Sequence, residues 1–177
     1  MVVTHVAVAL ALSVPVALVA PEFATAAAAG ALVGGALPDL DLLVGVHRRT
    51  LHFPVVGPAL AVGASVLALV APTPATVALA VGLWGFGVHA ASDALGAGEE
   101  LRPWERTNTD AVYDHVRGRW WRARYLVPYD GSPRDLALAG LAGAPALVVY
   151  EGPVRWLLAT LIAGGAVYAL FRRRLVP

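Results

Sequence analysis

GALPDLDLLVGVHRRTLHF, residues 35–53, sets two carboxylates (Asp39, Asp41), two imidazoles (His47, His52) and two guanidiniums (Arg48, Arg49) between segments that are otherwise almost purely apolar. Polar groups this dense beside hydrocarbon need a chemical reason. Pro38 ends the preceding apolar run, which puts the two aspartates in a turn. Residues two apart point to opposite faces of a strand and diverge by about 200° on a helix, and residues five apart diverge by about 140° on a helix. One straight element therefore cannot easily aim all four acid and imidazole groups at one ion. Either the segment bends around a site or it feeds more than one ion.

The rest of the chain is the setting for that stretch. With 177 residues, 58% hydrophobic, 14% charged and a mean hydropathy of +0.68, it departs from soluble domains, in which about 25% charge is usual. It reads as a single polytopic integral membrane domain, residues 1–177. There is no cysteine, so disulfides and thiolate metal sites are excluded and any metal must be held by histidine and carboxylate.

Six apolar segments follow in order. The first, 2–20, is long enough to cross about 30 Å of hydrocarbon, with His5 near its start. A signal peptide is the competing reading, weakened by the absence of Lys or Arg before it. Pro21 and Glu22 suit the first turn of a second helix, to Leu37, whose Ala and Gly content lets neighbours approach closely. The third, 54–71, is joined by Pro72-Thr73-Pro74 to the fourth, 75–95, which carries His89 and Asp93. A hydrophilic stretch, 96–133, is rich in arginine and aromatics. Ser132-Pro133-Arg134-Asp135 has the form of a helix start and opens a C-terminal helix pair, 134–171.

With six spans, twelve of the thirteen basic residues, all arginine, fall on one side; Arg155 alone is opposite. By the positive-inside rule that side is cytoplasmic and both termini lie there. The expected location is the cell's cytoplasmic membrane. Topology then brings His5, Asp39, Asp41, His47, His52, His89 and Asp93 to the cytoplasmic end of one all-α bundle. His89 and Asp93, four apart, are only about 40° out of line on a helix. Three carboxylates gathered in poor solvent repel one another, and divalent cation is the natural counter-charge. Taken singly, each has an ordinary explanation: the aspartates as an interfacial turn paired with Arg48 and Arg49, His89 and Asp93 as a structural hydrogen bond. His115 beside Asp114 suggests no particular role.

The elements Thr4-His5, Leu37-Pro38-Asp39-Leu40-Asp41, His47-Arg48-x-x-x-His52 and His89-x-x-x-Asp93, in this order between apolar helices, resemble the YdjM-type family of membrane-bound, predicted metal-dependent hydrolases. The resemblance covers residues 1–105. Leu95-Gly96 and Arg102-Pro103-Trp104-Glu105 resemble its archaeal branch. The usual family pattern is His-Arg-Gly-x-Thr-His-Ser; here Arg49 stands for Gly, Thr50 is shifted by one and Phe53 stands for Ser. The order of ligands is also similar to that of zinc-dependent phospholipase C and related nucleases.

The resulting expectation is a hydrolase that uses metal-activated water on a phosphoester, with a phospholipid or lipid-linked phosphate as substrate class. The expected ligands to one to three divalent ions, zinc first, are His5, Asp39, Asp41, His52, His89 and Asp93. His47 is either another ligand or the general acid and base, and Arg48 with Arg49 would stabilise phosphoryl charge. The expected partner is the lipid bilayer and not nucleic acid; oligomeric state is left open. The alternatives are a metal-binding transporter, which would show repeated halves and a midplane site, and a structural membrane protein.

Overall fold

The computed structural model describes residues 1–175; residues 176 and 177, which the single-domain reading also takes in, lie outside the described residues. Six helices, α1 (Val2–Val19), α2 (Ala24–Ala36), α3 (Val56–Val70), α4 (Pro74–Ser92), α5 (Pro133–Val149) and α6 (Gly152–Leu175), make up the molecule together with a hairpin of β1 (Asp110–Asp114) and β2 (Arg119–Arg122). The chain is thus mainly helical. The hairpin departs from the all-α expectation and forms within the stretch that reads in sequence as an arginine and aromatic loop. Val112 pairs with Trp121 and Tyr113 with Trp120, cross-strand pairs of the branched and aromatic kind that favour sheet. Asp114 closes the turn by accepting from the amides of Val116 and Arg117.

The stretches Val2–Val19, Pro21–Leu42, Pro74–Leu95 and Gly152–Leu175 are long and apolar enough to cross a membrane. Helices α3 and α5, of 15 and 17 residues, are shorter. Large apolar side chains such as Val19, Leu69, Val70, Val148 and Leu170 are exposed on the outside of the bundle, a surface suited to hydrocarbon.

Inside, the packing is built from small residues. Ala7, Ala9, Leu10, Ala27, Ala28 and Ala31 form the centre of the core. A Cβ added at Gly34 would run into the backbone carbonyl of Gly82, so α2 and α4 touch main chain to main chain. One residue further on, a Cβ at Gly35 would lie 2.9 Å from the Cα of Val6 and 3.1 Å from the carbonyl oxygen of His5. Close approach of this kind is what small residues permit, since helices surrounded by hydrocarbon gain nothing from apolar burial and rely on packing instead.

Polar bonds fix how α5 sits against α1. The Thr4 hydroxyl donates to the Asp135 carboxylate at 2.5 Å, and Ser13 and Tyr150 share a hydrogen bond of 2.7 Å nearer the other end. Ser132 caps α5 by accepting from the Asp135 amide, so the helix start legible in the sequence is formed. α1 begins where α2, α4 and α6 end, which gathers the sequence-distant polar groups at one end of the bundle.

Gly34→Ala tests the close contact. Alanine gains about 0.5–1 kcal/mol in intrinsic helix propensity, but overpacking costs about 1–3 kcal/mol, and backbone cannot rotate away. Thermal unfolding of the detergent-purified protein should drop for Gly34→Ala and hold or rise for Gly63→Ala, where a Cβ meets nothing within 4 Å. Equal melting of both variants would refute the packing account.

Candidate metal centre

The bend that sequence reasoning left open is a 3-10 helix, Leu37–Leu42, continuing from α2. With three residues per turn, positions two apart diverge by about 240°, so Asp39 and Asp41 serve different faces. Asp39 Oδ1 lies 3.3 Å from His89 Nε2 and 3.7 Å from His52 Nε2. Asp41, fully buried, points the other way. Its Oδ1 is 2.7 Å from His47 Nδ1 and its Oδ2 is 2.8 Å from His52 Nδ1, and the Leu51 amide also donates to Oδ2.

Residues 43–55 then double back instead of forming a helix. Gly45 (φ 104°) and Arg48 (φ 59°) both take left-handed backbone, rare for arginine, and the Thr50 hydroxyl accepts from the Val46 amide. The reversal is what brings His47 and His52 to the same carboxylate.

Four histidines and three aspartates meet here. His5 comes from the first turns of α1, with Nε2 3.6 Å from Asp93 Oδ1. His52 Nε2 is 3.1 Å from Asp93 Oδ2, and His89 Nε2 is 3.9 Å from the same oxygen. The rings of His5 and His89 are 3.7 Å apart between centroids. His89 donates from Nδ1 to the Gly35 carbonyl at 2.8 Å, which leaves the Nε2 lone pair facing inward. Burial lowers the pKa of His52, but Asp93 at Nε2 and Asp41 at Nδ1 outweigh it and hold the imidazole above its ordinary value. The pair thus draws positive charge to this spot.

The donor set fits a divalent cation. Nε2 of His5, His52 and His89 and Oδ2 of Asp93 are buried without a hydrogen-bond partner, and each such orphan costs about 1–3 kcal/mol. Three groupings, His5 with Asp39 and His89, Asp39 with His47 and His52, and His52 with His89 and Asp93, each have ligand atoms within 4.8 Å of one another. Imidazole with carboxylate suits a borderline divalent ion. Asp41 stands behind these atoms and not among them, because its two oxygens face Nδ1 of His47 and Nδ1 of His52. Outer carboxylates of this kind fix tautomer and ring orientation.

The two arginines separate. Arg48 donates from Nη1 to the Ala97 carbonyl at 2.6 Å, has Nε 3.3 Å from Glu99 Oε2, and reaches within 4.0 Å of Asp93. Arg49, expected beside it in the site, is exposed and lies over the Tyr113 ring, 4.5 Å from the centroid. Consecutive residues on a turning backbone face different ways, and Arg49 faces the hairpin.

Two contributors had no role from sequence, Glu99 unmentioned and His115 named without one. Glu99 faces both His47, at 3.7 Å, and Arg48; its position is held by its amide donating to the Asp110 carbonyl. In sequence, Glu99 and Glu100 resemble any solvated acid pair. His115 donates from Nε2 to the Arg49 carbonyl at 2.7 Å and stacks on Phe53 at 4.5 Å, while the Tyr113 amide donates to the Arg48 carbonyl at 2.9 Å. The hairpin therefore straps the His47–His52 turn from outside. Asp114 anchors that strap: burial would raise its pKa, but the Trp121 indole and the Arg117 and Val116 amides hold it below the usual carboxylate range. That stabilisation is present above the ordinary aspartate pKa and is lost as pH falls through the depressed one.

The cluster opens to a cleft of about 480 Å³ walled by Arg48, Glu99, Asp130 and Arg172. No family model, curated protein or solved structure matches the chain.

Asp41→Asn separates the backing role from ligation. Loss of an outer-shell partner weakens metal by about 10–100-fold, so a chelator-competition titration should show weaker binding with unchanged stoichiometry at saturation. His89→Ala should lower the stoichiometry itself. If Asp41→Asn also removes an ion at saturation, Asp41 is a ligand after all.

Proposed function

We propose that the protein is a six-span integral membrane hydrolase that cleaves a phosphoester at a divalent metal centre on the cytoplasmic side, in keeping with its resemblance to the YdjM-type family. The observation that carries the reading is the inward convergence of buried, unpartnered histidine Nε2 atoms and the Asp93 carboxylate. Zinc is the proposed ion because the ligands are imidazole and carboxylate without thiolate. A divalent cation held there would acidify a coordinated water and polarise an ester oxygen.

The chain's own residues supply the rest. His47, with Nδ1 bound to Asp41 and its ring partly open to the cleft, is placed to move a proton between the cleft and the leaving group, with Asp41 fixing its tautomer. Arg48 holds a guanidinium on the cleft wall, where charge on a phosphoryl group would develop. Its left-handed backbone and two carbonyl partners hold it there in advance of any substrate. A site at the end of a bundle with a lipid-suited surface favours an amphiphilic ester, so phospholipid or lipid-linked phosphate is the proposed substrate class.

Protein purified with zinc should turn over phosphoesters, lose activity on chelation and regain it with metal. Arg48→Ala should cut the rate by about 10² to 10³ with metal content nearly intact, whereas His52→Ala should lose metal and activity together. A broad screen of phosphate and carboxylic esters without metal-dependent turnover would overturn the hydrolase and leave a metal-binding protein.

The orientation has its own test. Single cysteines at Thr50 and Asn108, both at the site end, should be shielded from an impermeant thiol reagent in intact cells and react after lysis. Labelling from outside would reverse the topology.

A further inference from the structure

The cleft over the metal centre is not closed on the side of α6. Met1, Val2 and Asp130 line it, and the same three residues line a second space of about 390 Å³ that runs between α1, α5 and α6. Beyond Asp130 the walls are largely apolar, among them Val3, Ala139, Leu161 and Gly164. The space exists because α6 stands off the bundle. Among its described residues only Leu158 and Arg172 are buried, fourteen positions or about 21 Å apart. Between these two pins, a Cβ at Gly164 would meet nothing within 4 Å, and one at Gly165 would come no closer to α1 than 3.7 Å, at Val3. At the upper pin Arg172 pairs with Asp130 at 3.1 Å, and Asp130 also accepts from the Tyr168 hydroxyl. A polar collar therefore separates an apolar crevice, open sideways, from the cleft above it.

We propose that the crevice between α1 and α6 is a lateral portal that takes one hydrocarbon chain of a membrane lipid with an anionic phosphate head, the head lying in the cleft beside the metal centre. The proposal rests on the hydrolase reading for the role of the cleft. Its size is near the lower end of ligand pockets, about 300–1,000 Å³, which suits one chain. Charge sets the order of binding. The cleft walls carry Asp39, Asp93, Glu99, Glu100 and Asp130 against Arg48 and Arg172, so an anionic head is repelled until divalent cations are in place. A larger groove of about 650 Å³, between α2, α3 and α4, is apolar throughout and shares no lining residue with the cleft. A chain lying there would have nowhere polar to put its head.

The test uses zinc-loaded protein in bilayers containing a phosphatidate with a diazirine midway along one acyl chain, photolysed and mapped by peptide mass spectrometry. Adducts should fall on α1 near Val3 and on α6 between Thr160 and Gly165. They should fall several-fold on chelation, and several-fold in Gly164→Leu and Gly165→Leu with metal content unchanged. A diazirine-bearing diacylglycerol should label the same segments without metal dependence. Adducts confined to α2, α3 and α4, or labelling indifferent both to metal and to the two substitutions, would overturn the portal. Labelling of the crevice by a protein without esterase activity would sink the hydrolase and keep the portal. Hydrolysis of a short-chain, water-soluble phosphoester without crevice labelling would do the reverse.

Discussion

The contact on which the rest depends is at Gly35, where three helices meet with no side chain between them larger than the Ala9 methyl. α1 passes within van der Waals distance of it at His5 and Val6, a Cβ at Gly85 of α4 would lie 3.2 Å from its amide nitrogen, and its carbonyl accepts the Nδ1 proton of His89. Because the Gly35 carbonyl lies near the end of α2, it has no obligation within that helix and is free to orient an imidazole from another. Any side chain at this position would push His5 and His89 apart. Main-chain contact and ligand geometry are therefore one constraint.

Around that point the problem is charge. Asp39, Asp41 and Asp93 stand within a bundle whose outer surface suits hydrocarbon, and only Arg48 among the arginines reaches them, at 4.0 Å from Asp93. One guanidinium does not balance three carboxylates. Asp41 is relieved by donors: two imidazole N–H groups and an amide. Asp39 and Asp93 have no such set of donors and face histidine Nε2 atoms instead, so positive charge between them, from a cation or from protonated imidazole, is what their carboxylates call for. The distinction between the backing carboxylate and the candidate ligands follows from the turn of the 3-10 helix, which sets neighbours two apart on different faces, about 120° from each other.

The hairpin and α6 act from outside the elements that carry the candidate ligands. β1 secures the backbone of Arg48 through the Tyr113 amide, and His115 secures that of Arg49, so the turn bearing His47 and His52 is held on its outer face by strand and imidazole. α6 contributes through Arg172 at one end of the cleft and otherwise leaves space. A rigid strap on one side and a loosely attached helix on the other give the cleft one fixed wall and one open edge.

Much of this was legible in the chain itself. Hydropathy and the Pro and Ser punctuation placed the six helices, since burial in hydrocarbon requires long apolar runs and helix starts need specific caps; Ser132 and Asp135 are an example. The spacing of His89 and Asp93 put both on one helix face by geometry alone. What stayed hidden depended on backbone reversals and on partners distant in sequence. The left-handed conformation at Arg48 turned Arg49 out to Tyr113, the 3-10 turn made Asp41 a support for two histidines, and Glu99 entered the site only because its amide pairs with Asp110. Local sequence determines which polar residues fall at the ends of the apolar helices. Which atoms of those residues face one another is decided by long-range contacts, because a rotation of about 100° per residue along the backbone is enough to turn a candidate ligand into its neighbour's support.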